Sequence, residues 1–373
     1  MSRTSDELRA PGKLFIAGEY AIVEPGGRAV LVAVDRYVTA HITASETGSV
    51  SSAHYGPEPV YWDRDETAAV VVANPGRPLD QVFATIRTVE AYAGDLDIEP
   101  RGHCLQITSE LQDPTGRKYG LGSSAAVTVA VVRALDEFYG LRLSLMEQFK
   151  LSLLATLDVA PAASGGDLAA STFGGWLAYR SPDRVAAAAL RMRAGVLAAV
   201  RQPWPLLEIT PLPAPTSLDL IVGWTGQSAS TTALVDDVHA RREAPNLSYD
   251  QFLAGSEAQV ADLITGLRHD DSALVLDAVR GARELLAGLG AGTGIDIETP
   301  ALAHLVRSAE QIGAAGKSSG AGGGDCGIVL APRGTDLGSM LASWGRAGLQ
   351  HLPVAATAAP QQHQLPRLDP AAQ

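Results

Sequence analysis

"KYGLGSSAAVTVAVVRALDEFYG" spans residues 118–140, and how it is read decides the fold. Val127, Val131, Leu135 and Phe138 recur at near-helical intervals, and Ala126, Val129 and Ala130 widen the stripe. A helix buried on most sides is predicted. In front of it stand Gly120, Leu121, Gly122, Ser123, Ser124 and Ala125. A helix N-terminus leaves backbone N–H groups unpaired and carries positive partial charge. Glycines let that backbone approach a ligand closely. The hydroxyls of Ser123 and Ser124 can bind phosphate oxygens or a magnesium ion. The loop therefore reads as a phosphate cradle, and a serine N-cap behind a flexible turn is the plainer alternative. Neither the Walker A pattern nor the dinucleotide fingerprint matches here.

Upstream, "LFIAGEYAIVEPGGRAVLVAVDRYVTAHITA" reads as strands about a turn at "EPGG". Residues 79–94 have helical spacing, and "HCLQITSEL" is a strand candidate. Downstream, Ser144 and Glu147 in "SLME" fit a capping box. "GGWLAYR" follows as a strand. The proline-rich stretch 202–217 is the expected domain boundary. Beyond it come a strand "LDLIVGWTG", helices over about 228–315, a strand "DCGIVLAP", a helix near 336–347 and a strand near 349–354. The expected domains are 1–215 and 216–356, both α+β, with 357–373 an Ala-, Pro- and Gln-rich disordered tail.

The chain has 373 residues, enough for two ordinary cores, with 46% apolar and 19% charged residues. A net charge of −12 argues against a general nucleic-acid or anionic-membrane binder, since both need broad basic surfaces. An anionic substrate would have to be met by local positive charge. Cys104 and Cys326 lack metal-ligand spacing and suggest no disulfide framework. "MSRTSDELRAPGK" has no apolar core, so no secretory signal is expected, and no stretch reaches the length of a membrane span. A cytoplasmic protein is expected, with a monomer and a homodimer both open.

Three further stretches could carry chemistry. "KSSGAGGGDCG", residues 317–327, holds five glycines in eleven residues. It is expected to follow a helix and precede a strand, so that its backbone closes over a phosphate. It contains a G-x-S-x-G match, but a nucleophile elbow needs a strand before it and a helix after it. "SGGDLAAS" places Asp167 behind two glycines, either as an ordinary N-cap or as a carboxylate aimed into a cleft. In "APGKLFIAGEYAIV", Lys13 enters a strand that should be buried, so it is expected to have an anionic partner. The eight histidines show no metal-binding spacing, and "GAGTG" at 290–294 reads as a helix stop.

"PGKLFIAGEY", "GLGSSAA" and "GAGGGDCG", in that order over residues 11–327, resemble the hallmarks of the GHMP kinases. The resemblance implies a two-domain α+β fold, with an N-terminal mixed α/β domain and a ferredoxin-like C-terminal domain. The active site would lie in the cleft between them. Within the family, "GRKYGLGSS", "SGGDLAASTFGGWLAY", "VGWTGQSAST" and "KSSGAGGGDCGI" are most similar to bacterial members whose acceptor is phosphomevalonate. Asp325 stands where members acting on mevalonate usually carry another glycine.

The implied reaction is ATP-dependent phosphorylation of phosphomevalonate to diphosphomevalonate, with Mg2+ as cofactor. Residues 120–125 would hold the ATP phosphates, and Ser124 would contact the metal. Lys13 would steady the transferring group, while Asp167 would pair with Lys13 and orient the acceptor. Arg117, Lys118 and Lys317 would be the local cations for an acceptor bearing a carboxylate and a phosphate. Ser318, Ser319, Gly320, Gly322 and Ser228 would line the acceptor side, with Trp224, Ser230 and Thr231 near them. The metal-binding glutamate that members acting on mevalonate carry before the catalytic aspartate is missing. Asp158 is the sole carboxylate in "LLATLDVAP". The rivals are a mevalonate or other small-molecule kinase of the family, a diphosphomevalonate decarboxylase and a non-catalytic ligand sensor.

Overall fold

A computed structural model describes residues 8–52, 56–65, 70–72, 79–227, 231–243 and 248–358. The first sheet has eight strands in the order β5-β4-β3-β6-β2-β7-β8, with β1 paired to β2 off this path. Its spine is β2 (Arg28–Ala44), a run rich in β-branched residues. Along one edge of β2 lie β7 (Trp176–Arg180) and β6 (His103–Ser109). The gap between them is filled by the end of the described chain, where Ala356 bridges Val34 and the Thr357 N–H donates to the Ala33 carbonyl. β1 (Arg9–Ala17) runs along the other edge of β2. On the far side of β6 are β3 (Gly48–Ser52), β4 (Gly56–Arg64) and β5 (Val70–Val72).

Helices α1 (Asp80–Gly94), α2 (Ser123–Tyr139), α3 (Leu145–Leu157) and α4 (Gly166–Phe173) pack with this sheet and with one another. The capping box of Ser144 and Glu147 is present at the start of α3. "RVAAAALRMRAGVLAAVR" forms α5 (Arg184–Arg201), kinked at Gly195, whose φ is 84°. The proline-rich stretch, expected as a domain boundary, also holds a strand. β8 (Glu208–Leu212) lies within it and pairs with β7, Pro211 opposite Leu177. Proline is tolerated there because β8 is an edge strand.

The second sheet has the order β10-β11-β9-β12, all antiparallel. β9 is Leu218–Trp224, β10 Ala315–Ser318, β11 Cys326–Pro332 and β12 Gln350–Leu352. Between β9 and β10 come α6 (Thr231–Ala240), α7 (Tyr249–His269), α8 (Ser272–Thr293) and α9 (Pro300–Glu310). α10 (Gly338–Arg346) precedes β12. This is the ferredoxin-like order with added helices. α8 stops at Gly294 in the left-handed conformation, as "GAGTG" suggests. One apolar core passes from the first sheet into the inner face of the second, and a smaller one joins Tyr20 and Ala21 to Phe252, Leu286, Ile297 and Ala321. The two sheets are thus parts of one packed body. Among the described residues, no helix is long and apolar enough to cross a membrane.

Candidate active site

The three glycine-bearing motifs, far apart in sequence, meet along the outer edge of β1. The Lys13 N–H donates to the Leu121 carbonyl at 2.9 Å, which ties β1 to the central loop. The Phe15 N–H donates to Ser319 Oγ at 2.9 Å, and that hydroxyl donates to the Phe15 carbonyl at 3.0 Å. The central and late loops also touch each other. Cys326 Sγ donates to the Tyr119 carbonyl at 2.8 Å, and a Cβ on Gly120 would lie 2.5 Å from that of Asp325.

The N-cap of α2 is Gly122, with φ 73° and no side-chain capping bond, so the serine-cap alternative fails. Ser123 is half-buried and Ser124 exposed, at a helix end whose N-cap makes no side-chain hydrogen bond to it. Gly122 is required by contact as well as by φ, because a Cβ there would lie 2.8 Å from Lys13 Cε and 3.0 Å from Cγ. Lys13, 7% exposed, therefore runs across the loop, with Nζ 5.3 Å from the Phe15 ring centroid.

Asp167 lies in the first turn of α4, behind the N-cap Gly165 (φ 83°), so it is not itself the cap. α4 packs against β1 and α2, and in its first turn a Cβ on Gly166 would lie 3.4 Å from Phe15 Cζ, which sets that turn beside β1. The expected Lys13–Asp167 pair is not formed, and no carboxylate pairs with Lys13 among the described residues. The lysine stem is laid over Gly122 and the Phe15 ring instead.

The expected acceptor cations need correcting. Lys317 is fully buried in β10 and paired with Glu19, also buried. Burial pushes its ammonium down, and Glu19 opposes that. The loop following it joins two strands rather than a helix and a strand, so Lys317 belongs to the wall and not to an open cradle. Arg117 is committed as well. Its Nε and Nη2 donate to Asp113 Oδ2 at 2.9 and 2.7 Å, Nη1 reaches the Gly226 carbonyl at 3.3 Å, and the guanidinium lies 5.0 Å from the Trp224 ring centroid. Burial pushes the Asp113 carboxyl up, but hydrogen bonds from Thr115 and Arg117 outweigh it and hold the group at about 2. Lys118 is exposed at the bridge to Gln112, just before the central loop.

In the late loop, Ser318 is buried in β10 and Ser319 is held by β1. Gly320 is half-buried with φ 84°. Gly322 is pressed against the chain, where a Cβ would lie 2.2 Å from the Ile297 carbonyl oxygen. Asp325 is bonded through its backbone to Thr225 and Gln227. Ser228, Ser230 and the side chain of Thr231 lie outside the described residues, and Trp224 is buried beneath Arg117. Asp158 is paired with Arg191 at 2.9 Å.

Glu19, Tyr20 and Asp113 escaped the sequence reading. The Tyr20 O–H donates to the Ala321 carbonyl at 2.6 Å, and burial, then the charge of Glu19, pushes its phenol well up, so it stays a donor. The one available hint was that a buried lysine needs a carboxylate, which applied to Lys317 rather than Lys13.

Family models for the "GHMP kinases N terminal domain" and "GHMP kinases C terminal" match residues 80–175 and 263–349. The chain is 43% identical over 358 residues to the phosphomevalonate kinase of Streptomyces sp. strain CL190, covering 92% of this chain and 95% of that protein. It is 28% identical over 343 residues to the mevalonate kinase of Thermococcus gammatolerans, covering 87% and 88%. The solved Streptococcus pneumoniae phosphomevalonate kinase, in complex with phosphomevalonate and AMPPNP, superposes with a TM-score of 0.83 at 29% identity, covering 94% of this chain and 99% of that one.

Proposed function

The chain belongs to the GHMP kinase family, and from that premise we propose how it phosphorylates phosphomevalonate at the expense of ATP. The observation that carries the residue roles is the convergence of three glycine-bearing motifs on the edge of β1, with one buried lysine laid across the phosphate loop. ATP phosphates bind the uncapped N–H groups of Ser123, Ser124 and Ala125, in the cradle of Gly120, Leu121 and Gly122. An oxygen of the acceptor phosphate forms the new bond to the γ-phosphorus, the bond from that phosphorus to the ADP oxygen breaks, and ADP leaves. Lys13 stabilises the charge spread over the transferring group. A phosphate acceptor is already largely ionised near pH 7, so Asp167 acts by orientation and charge more than as a base.

Lys118 meets the acceptor at the loop entrance. Ser318, Gly320 and Gly322 act as wall, and Arg117 acts through Asp113 and Trp224. Among the described residues, no group of three His, Cys, Asp or Glu could hold a metal. Magnesium would accordingly be held by Ser124, the nucleotide and water, which suits an ion that keeps much of its hydration shell. Its contribution when bound is neutralisation of phosphate charge. The cysteine usage supports a cytoplasmic setting.

The test is ADP release with Mg–ATP, comparing phosphomevalonate with mevalonate. Turnover on phosphomevalonate alone is expected. Turnover on mevalonate alone, carbon dioxide release, or ATP binding without turnover on any acceptor would each replace this reading with one of its rivals. Asp167→Asn is expected to lose most turnover, and an Asn variant at nearly full rate would remove Asp167 from the mechanism.

A further inference from the structure

β1 carries Lys13 and is bonded to the sheet along one edge. An edge strand presents a row of outward N–H and C=O groups. Residues alternate between inward and outward bonding, and Lys13 and Phe15 are outward. The Lys13 N–H is met by Leu121, while both groups of Phe15 are met by a single hydroxyl, that of Ser319. One side chain therefore does what a neighbouring strand would do. Its position is fixed, because Ser319 is 5% exposed and its own N–H donates to the Cys326 carbonyl at 3.0 Å. Two residues to either side the late segment is tied to the first motif again, through Lys317–Glu19 and Ala321–Tyr20.

We propose that Ser319 is a positioning residue for phosphoryl transfer. It acts as the strand partner of Phe15, fixes Lys13 two residues upstream over the phosphate loop, and makes no contact with the acceptor. This rests on the role given to Lys13 above. The chemistry of the hydroxyl separates the two roles. A serine has one proton, and here it is donated to the Phe15 carbonyl. What remains is a lone pair, which a carboxylate or phosphate does not seek. Ser319 therefore cannot be a donor to the acceptor without releasing β1.

The test combines steady-state kinetics of Ser319→Ala and Ser319→Thr with residue-resolved hydrogen exchange at Phe15 and Leu14. In the unaltered protein, the Phe15 amide is expected to be as protected as that of Leu14, which faces β2. In the Ala variant, Phe15 exchange should accelerate by about tenfold or more while Leu14 holds, since a buried donor has lost its acceptor. The kcat should fall about ten- to a hundredfold, as expected for a misplacement approaching 1 Å, with the KM for phosphomevalonate unchanged. The Thr variant should keep Phe15 protected and regain turnover.

A raised KM for phosphomevalonate with kcat preserved would make Ser319 an acceptor contact and overturn the proposal. Unchanged kinetics and exchange in the Ala variant would overturn it too, as would a Thr variant that protects Phe15 yet stays as slow as Ala. Should the Ala variant not fold, exchange in the unaltered protein decides, and an open-edge rate at Phe15 refutes the proposal. Lys13→Met is measured alongside. If that variant keeps its turnover, the role of Lys13 falls, while the exchange result still reports whether Ser319 holds β1.

Discussion

Gly122→Ala separates the two demands made on the proposed phosphate loop, one of backbone conformation and one of contact. Gly122 has φ 73°, and Gly116, in the turn before the loop, has φ 86°. An alanine at either position adopts a left-handed conformation that costs about 1 kcal/mol. In a chain of this size, that lowers Tm by about 1 °C. The surroundings differ. A Cβ on Gly116 meets nothing within 4 Å, whereas one on Gly122 lies 2.8 Å from Lys13 Cε. Ordinary carbon contact begins near 3.6 Å, so the lysine stem must move by about 0.8 Å. With Lys13 in the role proposed above, a displacement of that size costs up to about a hundredfold in rate, or about 2.7 kcal/mol of barrier. Thermal melts and initial rates of ADP release on both variants are the assay. Both should lose similar stability, and only Gly122→Ala should lose turnover. Equal turnover in the two variants, whether both high or both low, would refute the placement of Lys13 across the loop.

Lys13→Met should lower kcat about 10²- to 10³-fold with the melting curve little changed, because the lysine has no ion-pair partner among the described residues to leave unpaired. Breaking the buried pair by Glu19→Gln or Lys317→Met should cost about 3–5 kcal/mol in urea unfolding, with the double variant nearer the starting stability. Single variants costing under about 1 kcal/mol would mean that water reaches the pair. Asp113 has its folded-state pKa at about 2, below its ordinary 3.8, so its contribution to stability is present above that ordinary value and is lost as pH falls towards 2. Asp113→Asn should flatten the pH dependence of the urea midpoint in that window. Cys326, whose thiol is pushed up by burial and then by the charge of Asp325, should resist thiol reagents in the native protein while half-buried Cys104 reacts.

The three motifs were legible because glycine-rich runs beside apolar elements have few structural uses. That they share one site was not, because the link is the outward N–H and C=O pattern of β1. The register that sets this pattern follows from pairing with β2 and not from local composition. Lys317 was misplaced because β10 is only four residues long, too short for alternation to reveal a strand, so the segment looked like loop. Arg117 looked like a free cation because its partner sits four residues back in a turn, and turn-level pairing leaves no periodic trace. β8 was not read as a strand because prolines crowd the stretch around it, yet an edge strand tolerates a missing donor. α5 escaped because Gly195 interrupts its helical pattern.

The placement of the site follows from the same edge. A strand bonded on one side is a liability in water, since its other side offers a template for further pairing. Here that side is covered by two loops instead of a strand. One leads into a helix of the first sheet's layer, and the other joins two strands of the second sheet. Loops can meet an edge with isolated groups, a carbonyl from Leu121 and a hydroxyl from Ser319, and leave glycine backbone between them uncovered. A ninth strand would have saturated the edge and closed the surface. Covering β1 with loops thus solves an aggregation problem and leaves, beside the one lysine that β1 carries, the glycine backbone to which we have assigned phosphate. The small core that unites Tyr20 with Ala321 anchors the late loop to the chain just after β1, so that part of the edge stays covered.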